Sequence, residues 1–305
     1  MDHVSVDLWA ANLELPLPDL ATWLHRVEVR LADAAARGCQ ILVLPEFACA
    51  QWLTFAPVDL PAAHQLAWLA EVGVTARQAL MALSATYGVT LLPGTIPEPT
   101  TTAEGAPGFF NRAWLLTPER GAFHQDKISL TPLEAHGTAG VTVPGNEISV
   151  IDWNGLRIAM PICLDAEFTA LWSRLGELDL DLILIPAKTD MITGFNRVFG
   201  CARARAIELQ TPVCVVGAVG APLGHPATDT GVGGAAVYLP CDVSVSQDGV
   251  FAALLPQPAV ALSDPILHAA GVPVGQCRVI RGGAAEAEVS PALWDARHLS
   301  VGTGV

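Results

Sequence analysis

Short apolar runs alternate with longer segments of helical character along most of the chain. The runs at 39–44, 156–162 and 181–186 have the length and composition of strands that are buried on both faces. The segment 20–37 is amphipathic at helical spacing, and the segment 195–210 is a helix dense in Ala and Arg. Strands alternating with helices, together with antiparallel hairpins, predict a layered α/β sandwich.

The same pattern predicts elements along the rest of the chain. Further predicted strands are 4–10, 89–93, 111–117, 147–153, 211–219, 235–239 and 250–262, and further predicted helices are 73–87 and 168–175. The pair Asn154-Gly155 predicts a hairpin turn, whereas 97–108 and 220–234 have the composition of loops.

The C-terminal part of the chain is predicted to be an extension of the main domain. We divide the sequence into a domain over 1–263 and an extension over 264–305, which we expect to lie at an oligomer interface. The extension carries one more strand candidate, 276–281, and is predicted to pack outside the core.

The segment 157–168 places a cysteine where a strand turns into a helix. The apolar run ends at Cys163, and an acidic turn then leads into the predicted helix. Such a turn exposes the side chain, and the backbone N–H groups that follow it can receive an oxyanion. The positive end of a helix also favours a thiolate over a thiol. The position therefore suits a nucleophile, and the alternative is a buried, inert cysteine.

Composition and charge exclude several classes of function. With 51% hydrophobic and 15% charged residues, the 305-residue chain is expected to fold around a large core. No run of about 18 apolar residues is free of charge or of Pro and Gly, and the N-terminus lacks the pattern of a secretory signal. A net charge of -14 argues against a nucleic-acid partner or an anionic membrane.

The cysteines indicate a reducing compartment. There are seven, with no CxxC pair and an odd total, which is typical of a cytoplasmic protein rather than of a disulfide framework or a zinc site. The histidines at 124, 136 and 225 have no partner at i, i+4, so a metal site is not predicted. We therefore expect a cytoplasmic protein without a bound metal.

Four polar residues stand at the ends of strand-like segments, where α/β folds place their sites: Glu46, Lys127, Glu134 and Cys163. A carboxylate, an ammonium group and a thiol are the minimum parts for covalent acyl transfer. The carboxylate takes the thiol proton, the sulfur attacks, and the cation stabilises the charge that develops on oxygen. We expect Glu46, Lys127 and Cys163 to titrate as one coupled unit.

Three segments resemble the signature blocks of the carbon-nitrogen hydrolase (nitrilase) superfamily, and they occur in that family's order. They are Leu-Pro-Glu-Phe at 44–47, Asp-Lys-Ile-Ser-Leu-Thr-Pro-Leu-Glu at 126–134, and Ile-Cys-Leu-Asp-Ala-Glu-Phe at 162–168. A fourth segment, 201–208, is similar to the family's Arg-Ala-Arg-Ala-Ile-Glu helix. The likeness extends from about residue 4 to residue 262.

This resemblance implies a four-layer αββα sandwich that usually dimerises into an eight-layer assembly. It implies Glu46 as general base, Lys127 as oxyanion stabiliser and Cys163 as nucleophile. Glu134 would be a second acid that orients Lys127 or the substrate, and the backbone N–H of Leu164 would complete the oxyanion hole. No metal or organic cofactor is implied, and the expected partners are a small amide substrate and a second copy of the chain.

The residues after the cysteine depart from the named branches of the family. True nitrilases typically carry Trp directly after the nucleophile, where this chain has Leu164. The following Asp165 makes the motif more similar to that of amidases and carbamoyl-amide hydrolases, although the segment 166–169 does not continue as theirs does. We predict an amidase that releases ammonia through a thioester. The alternatives are hydrolysis of an N-carbamoyl group or of a nitrile and, from another class, an inactive scaffold.

Two further residues are candidates for substrate binding. Lys188 follows a buried strand, where the family lines its pocket, and we hypothesise that it meets an anionic group of the substrate. The alternative is a salt bridge from Lys188 to Asp190 or Asp165. His136 is close enough to Glu134 in sequence to border the pocket. Arg205 and Glu208 are instead predicted to form a structural ion pair.

Overall fold

The computed structural model describes residues 1–137, 139–221, 231–258 and 263–284. One sheet contains β1 (Val4–Trp9), β2 (Ile41–Val43), β3 (Thr90–Leu92), β4 (Thr95–Thr101), β5 (Pro107–Thr117), β6 (Gly121–Asp126) and β13 (Ile266–Val272). The other contains β7 (Ile151–Trp153), β8 (Leu156–Ala159), β9 (Leu182–Ala187), β10 (Val213–Gly217), β11 (Gly233–Tyr238) and β12 (Val250–Gln257). The α-helices are α1 (Leu20–Ala36), α2 (Gln65–Tyr87), α3 (Pro132–His136), α4 (Thr169–Leu175), α5 (Ile192–Leu209) and α6 (Val274–Val279).

Both sheets are mixed. The first has the order β13-β1-β2-β3-β5-β4, with β6 also paired to β5, and the second has the order β12-β11-β10-β9-β8-β7. Strands β1, β2 and β3 are parallel neighbours, as are β8, β9 and β10. The segments that leave the carboxyl ends of parallel strands therefore emerge at one edge of each sheet, and a site can form between them.

The core lies in three layers, which explains the continuous apolar runs of the sequence. Ile41 and Val43 contact the second sheet, whereas Leu42 and Leu44 pack with α1 and α2. Strand β9 alternates in the same way between the inter-sheet layer and the layer under α4 and α5. A strand buried on both faces needs apolar side chains at every position. The predicted αββα sandwich is confirmed.

Helix α1 shows how sequence dictates the outer layers. Its buried residues, Trp23, Val27, Leu31 and Ala34, recur at helical spacing, and Asp19 caps its N-terminus by accepting a hydrogen bond from the Thr22 N–H. Helix α2 begins at residue 65, before the predicted start at residue 73. Within the part of the chain described, no helix combines the length and apolar character needed to cross a membrane.

The predicted loop at 97–108 is wrong, because most of it forms the hairpin of β4 and β5. In this hairpin Pro97 pairs with Asn111 and Pro99 with Phe109. Proline lacks the N–H that a central strand must donate, which is why the sequence favoured a loop. Strand β4 lies at the end of the sheet order, and a strand that pairs on one side only accommodates proline.

The C-terminal segment contributes to the core up to its last described residues. Strand β13 pairs with β1, and Val272, Val274 and Cys277 are buried between the sheets. The prediction that the tail packs outside the core is therefore wrong for residues 264–284. The predicted strand at 276–281 is also wrong, since α6 covers its first part and a π-helical turn follows. Residues 285–305 lie outside the described part.

Candidate active site

Glu46 stands in a sharp turn just beyond β2. The next residue, Phe47, has a left-handed backbone (φ 51°), and its N–H donates to the Thr95 hydroxyl over 2.9 Å. Gly94 allows the close approach of this turn, because a Cβ there would lie 2.0 Å from the Pro45 carbonyl oxygen. The backbone that carries Glu46 is thus held by Gly94 and Thr95, where β3 gives way to β4.

Lys127 and Glu134 come from one continuous segment after β6. The Lys127 N–H donates to the carbonyl of Asn111 over 2.9 Å, which extends the pairing of β5 and β6 to the lysine. Glu134 closes a capping box on α3: Thr131 N–H donates to Glu134 Oε2 (2.9 Å), and Glu134 N–H donates to Thr131 Oγ1 (3.2 Å). The cap aims the Glu134 carboxylate back towards Lys127.

Cys163 begins a 3₁₀ turn, Cys163–Glu167, and has a left-handed backbone (φ 48°). Such a backbone is uncommon for a residue other than glycine and marks local strain. The fully buried Asp165 carboxylate holds the turn by accepting the N–H of Ile162 (3.0 Å) and that of Ser129 (2.6 Å). Asp165 thereby joins the cysteine turn to the segment that carries Lys127.

The structure brings the four predicted catalytic residues together. Lys127 Nζ lies 2.7 Å from Glu46 Oε1 and 2.7 Å from Glu134 Oε2. Cys163 Sγ lies 3.4 Å from the carbonyl oxygen of Lys188, and the thiol is close enough to the Glu46 carboxylate for the two groups to interact. Glu46 and Lys127 are each 2% exposed and Cys163 is 5% exposed, so these groups interact away from bulk solvent.

Sequence reasoning missed two contributors to this cluster. The Asn111 side-chain amide donates to Glu46 Oε1 and to Glu134 Oε1, each over 2.8 Å. The backbone N–H of Lys188 donates to Glu46 Oε2 over 3.0 Å. A signal for Asn111 was present in the sequence, since it is an uncharged polar residue at the start of the predicted strand 111–117, which is otherwise largely apolar. A backbone contact leaves no such signal.

Burial and mutual charge set the protonation of the cluster. Burial raises the pKa of Glu46, and the Glu134 charge raises it further, while the Lys127 ammonium opposes both. Burial acts on Glu134 in the same direction, but Lys127 and the hydrogen bonds outweigh it and lower the pKa of that carboxyl. Burial alone would lower the pKa of Lys127, yet the surrounding negative charges raise it, so the amine stays charged.

The environment of Cys163 disfavours the thiolate form of its side chain. Burial raises the pKa of Cys163, and the negative charge of Glu46 raises it further. The predicted stabilisation of a thiolate by a helix end is therefore wrong. The physical reason is that Cys163 opens a 3₁₀ turn beside a carboxylate, whereas α4 begins only at Thr169. The thiol needs a base to become nucleophilic, and Glu46 is in contact with it.

The remaining candidate residues differ in their relation to the cluster. The Lys188 ammonium pairs with Asp190 Oδ1 at 2.6 Å, which is the salt bridge considered as the alternative to substrate binding. Leu164 is half-buried directly after Cys163, and His136 is exposed at the last position of α3. The predicted ion pair of Arg205 with Glu208 is present at 2.6 Å.

The arrangement has the parts needed for covalent acyl transfer: a buried thiol, a carboxylate that can accept its proton, and a buried ammonium group beside them. In the described ranges, the structure brings together no group of three His, Cys, Asp or Glu side chains suited to a metal ion. Fold and site thus define an αββα protein with a Glu–Lys–Cys cluster.

Comparison with known proteins identifies the family. The carbon-nitrogen hydrolase family matches residues 10–279, and the chain belongs to it. A hydrolase from Mycobacterium tuberculosis is 27% identical over 253 residues, which cover 78% of this chain and 83% of that protein. The probable hydrolase YhcX of Bacillus subtilis is 28% identical over 141 residues, which cover 46% of this chain and only 27% of YhcX.

Solved structures show the same fold. An amidase from Nesterenkonia sp. superposes with a TM-score of 0.66 at 20% identity, over 92% of this chain and 94% of that one. One variant of that amidase was solved in complex with butyramide. Another carries the acetamide moiety of fluoroacetamide covalently on its active-site cysteine.

Replacing Lys127 with methionine is expected to lower the free energy of unfolding by about 3–5 kcal/mol at neutral pH, because it leaves the buried Glu46 carboxylate and the largely buried Glu134 carboxylate without the cation between them. Urea titration measures the loss. The difference from the wild type should shrink as the pH falls, since Glu46 and Glu134 would then share protons in the folded variant and the folded state would bind more protons than the unfolded one.

The matched control for this prediction is Lys188→Met, which breaks an ion pair whose two side chains are 22% and 41% exposed. That change should cost less than about 1 kcal/mol, because solvent screens the pair. Equal losses of stability in the two variants, or a Lys127→Met loss that does not depend on pH, would show that Lys127 does not balance the charges of Glu46 and Glu134.

Proposed function

We propose that this protein is an amidase that hydrolyses an aliphatic amide to ammonia and a carboxylic acid through a thioester acyl-enzyme. The observation that carries the proposal is the contact of the Cys163 thiol with a buried Glu46 carboxylate that is itself held by Lys127. Support also comes from the fold shared with an amidase whose structures contain small amides.

Acylation begins with proton transfer from Cys163 Sγ to the Glu46 carboxylate as the sulfur attacks the amide carbonyl carbon. The carbonyl oxygen becomes an oxyanion, which the Lys127 ammonium and the Leu164 N–H stabilise. When the tetrahedral intermediate collapses, Glu46 returns the proton to the amide nitrogen and the C–N bond breaks. Ammonia leaves, and the acyl group remains on Cys163 as a thioester.

Deacylation uses the same groups in a second cycle. Glu46, ionised again, accepts a proton from a water molecule, whose oxygen attacks the thioester carbonyl carbon. Lys127 and the Leu164 N–H stabilise the second oxyanion. The C–S bond then breaks, and the departing sulfur takes the proton from Glu46. The acid is released and Cys163 returns to the thiol form, so no redox partner or cofactor is consumed.

The proposal is tested by measuring ammonia release from a panel of aliphatic amides, N-carbamoyl amino acids and nitriles. We expect turnover of amides, with the acid as the second product. Turnover of the N-carbamoyl compounds alone, with ammonia, carbon dioxide and a free amine as products, would assign the protein to the carbamoyl-hydrolysing branch instead. Turnover of nitriles alone would assign it to the nitrilases, and no turnover of any class would favour the scaffold alternative.

Replacing Lys188 with methionine is expected to leave the relative rates on acidic and neutral amides unchanged, because Asp190 already neutralises the ammonium group at 2.6 Å. The ratio of kcat/KM values for a dicarboxylic monoamide and an amide of the same length measures this. Asp190→Asn is the matched variant, since it removes the partner and leaves the cation free. A selective loss of the acidic substrate in Lys188→Met would instead establish the substrate role.

A further inference from the structure

The Asn111 side chain lies between the two glutamates of the active-site cluster. Its amide nitrogen is 2.8 Å from Glu46 Oε1 and 2.8 Å from Glu134 Oε1, and the residue is 2% exposed. We propose that Asn111 is a positioning residue: it leaves Glu46 Oε2 as the oxygen that accepts the thiol proton, and it prevents the two glutamates from sharing a proton. This inference rests on the function proposed for the same site.

The hydrogen bonds of Glu46 distinguish its two oxygens. Oε1 accepts from both Lys127 Nζ (2.7 Å) and Asn111 Nδ2 (2.8 Å), so its lone pairs are directed at fixed donors. Oε2 accepts from the Lys188 N–H (3.0 Å). The carboxylate plane is therefore held from both sides, and Oε2 keeps capacity for the proton of Cys163 because Oε1 is occupied.

The side-chain amide of Asn111 acts in this cluster as a hydrogen-bond donor. A primary amide has two N–H protons, and here each has a carboxylate oxygen as its acceptor. The opposite orientation would place a carbonyl oxygen against two carboxylates, so the hydrogen-bond network settles the assignment. Among the described residues no donor reaches Asn111 Oδ1, although that atom is buried. The Asn111 side chain thus donates to two carboxylates, while its own carbonyl oxygen accepts no hydrogen bond from the described residues.

The charge of the cluster explains why two neutral donors matter. Glu46, Glu134 and Lys127 together carry one more negative than positive charge when both carboxylates are ionised. Two carboxylates this close would otherwise hold one proton between them, because like charges in a buried site disfavour double ionisation. Lys127 bonds to one oxygen of each glutamate, and Asn111 closes the ring. Hydrogen bonds to an ionised group favour that form, so Asn111 supports ionisation of both acids.

The backbone of Asn111 contributes to its placement. Its carbonyl oxygen accepts the Lys127 N–H over 2.9 Å, and the residue pairs with Pro97 in the β4–β5 hairpin. One residue of β5 therefore sets the backbone of the lysine and the side chains of both glutamates. Because residues within a paired strand are rigid, the Asn111 amide is preorganised and does not depend on substrate binding for its position.

The test is the pH dependence of Cys163 alkylation by iodoacetamide, followed by peptide mass spectrometry in wild type, Asn111→Ala and Asn111→Ser. Alkylation needs a base for the thiol proton, so its rate falls on the acid side as Glu46 becomes protonated. In Asn111→Ala we expect this midpoint to rise by about one to two pH units, the size expected for one hydrogen bond to a charged group. Asn111→Ser, which keeps one hydroxyl donor, should show a smaller rise.

Gln125→Ala is the matched control. Gln125 is a buried amide on the adjacent strand β6, but its side-chain amide donates to main-chain carbonyls of Asp126 and Glu147. Loss of the Gln125 side chain should reduce thermal stability and leave the pH midpoint of Cys163 alkylation unchanged. Circular dichroism establishes whether each variant is folded. Asn111→Ser is the milder of the two changes at position 111, because serine retains a hydroxyl donor. A rate lowered equally at all pH values in folded Asn111→Ala or Asn111→Ser would overturn the inference.

Alkylation separates this inference from the proposed function. If wild type hydrolyses no compound of the panel but its alkylation midpoint rises in Asn111→Ala, the amidase proposal fails and the role of Asn111 stands. If the panel shows an active amidase whose kcat/KM midpoint and alkylation midpoint are the same in wild type and in Asn111→Ala, the function stands and the role of Asn111 fails.

Discussion

Replacing Cys163 with alanine is expected to reduce amide turnover roughly 10⁵-fold, because covalent catalysis has no other nucleophile in this cluster. Ammonia release from the best substrate of the panel measures the loss, and mass spectrometry should show a thioester adduct in wild type but not in the variant. Substrate affinity should change little, since the variant keeps Glu46, Lys127 and the Leu164 N–H in place.

Two further variants make this result specific. Cys163→Ser keeps an attacking atom of similar position but lower reactivity, so it should retain at most a trace of turnover. Cys214→Ala removes a fully buried cysteine of the inter-sheet core and should keep the wild-type rate once folded. Turnover that persists in Cys163→Ala would exclude the thioester route altogether.

Replacing Glu46 with glutamine is expected to lower kcat/KM about 10³-fold, because the substitution preserves size and removes the proton acceptor that both half-reactions use. The wild-type rate should fall on the acid side with a midpoint above the ordinary glutamate value, since burial raises the pKa of Glu46. Below that midpoint Glu46 is protonated and cannot accept the thiol proton. The residual rate of the variant should lack this acid limb.

Glu134→Gln provides a matched comparison, because it should shift the midpoint of the acid limb rather than abolish the limb. The Glu134 charge raises the pKa of Glu46, so its removal should move the acid midpoint downward. Steady-state kinetics across a pH series in one buffer of constant ionic strength measures both variants. An acid limb that persists in Glu46→Gln would assign the base to another residue.

The sequence alone indicated where the chemistry would lie. The resemblance of the segment 126–134 to a family block indicated Lys127 and Glu134, and the structure brings these two residues together with Glu46 and Cys163. Glu46 and Cys163 were also indicated by the apolar runs that precede them. This inference succeeds because buried strands must be apolar along their length, so a polar residue at the end of such a run is conspicuous. The hairpin at Asn154-Gly155 was predicted for a similarly local reason, since both residues adopt positive φ in that turn.

Other features depended on contacts between residues far apart in the chain. Proline at 97 and 99 is compatible with a strand only because β4 lies at the end of its sheet, which local sequence does not reveal. The segment 266–272 enters the core only because β1 offers it a free edge. In both cases sheet order, rather than local preference, decided the structure.

The sequence by itself determined the layered α/β architecture, which follows from the order of apolar and polar residues along the chain, and its resemblance to the signature blocks of a family indicated the reactive groups. Only the tertiary structure decided the pKa values of those groups and the orientation of their side chains. The raised pKa of Cys163 comes from burial beside Glu46, and the orientation of Glu46 comes from Asn111 and the Lys188 N–H. Desolvation and hydrogen-bond direction are properties of positions in space, and no local pattern encodes them.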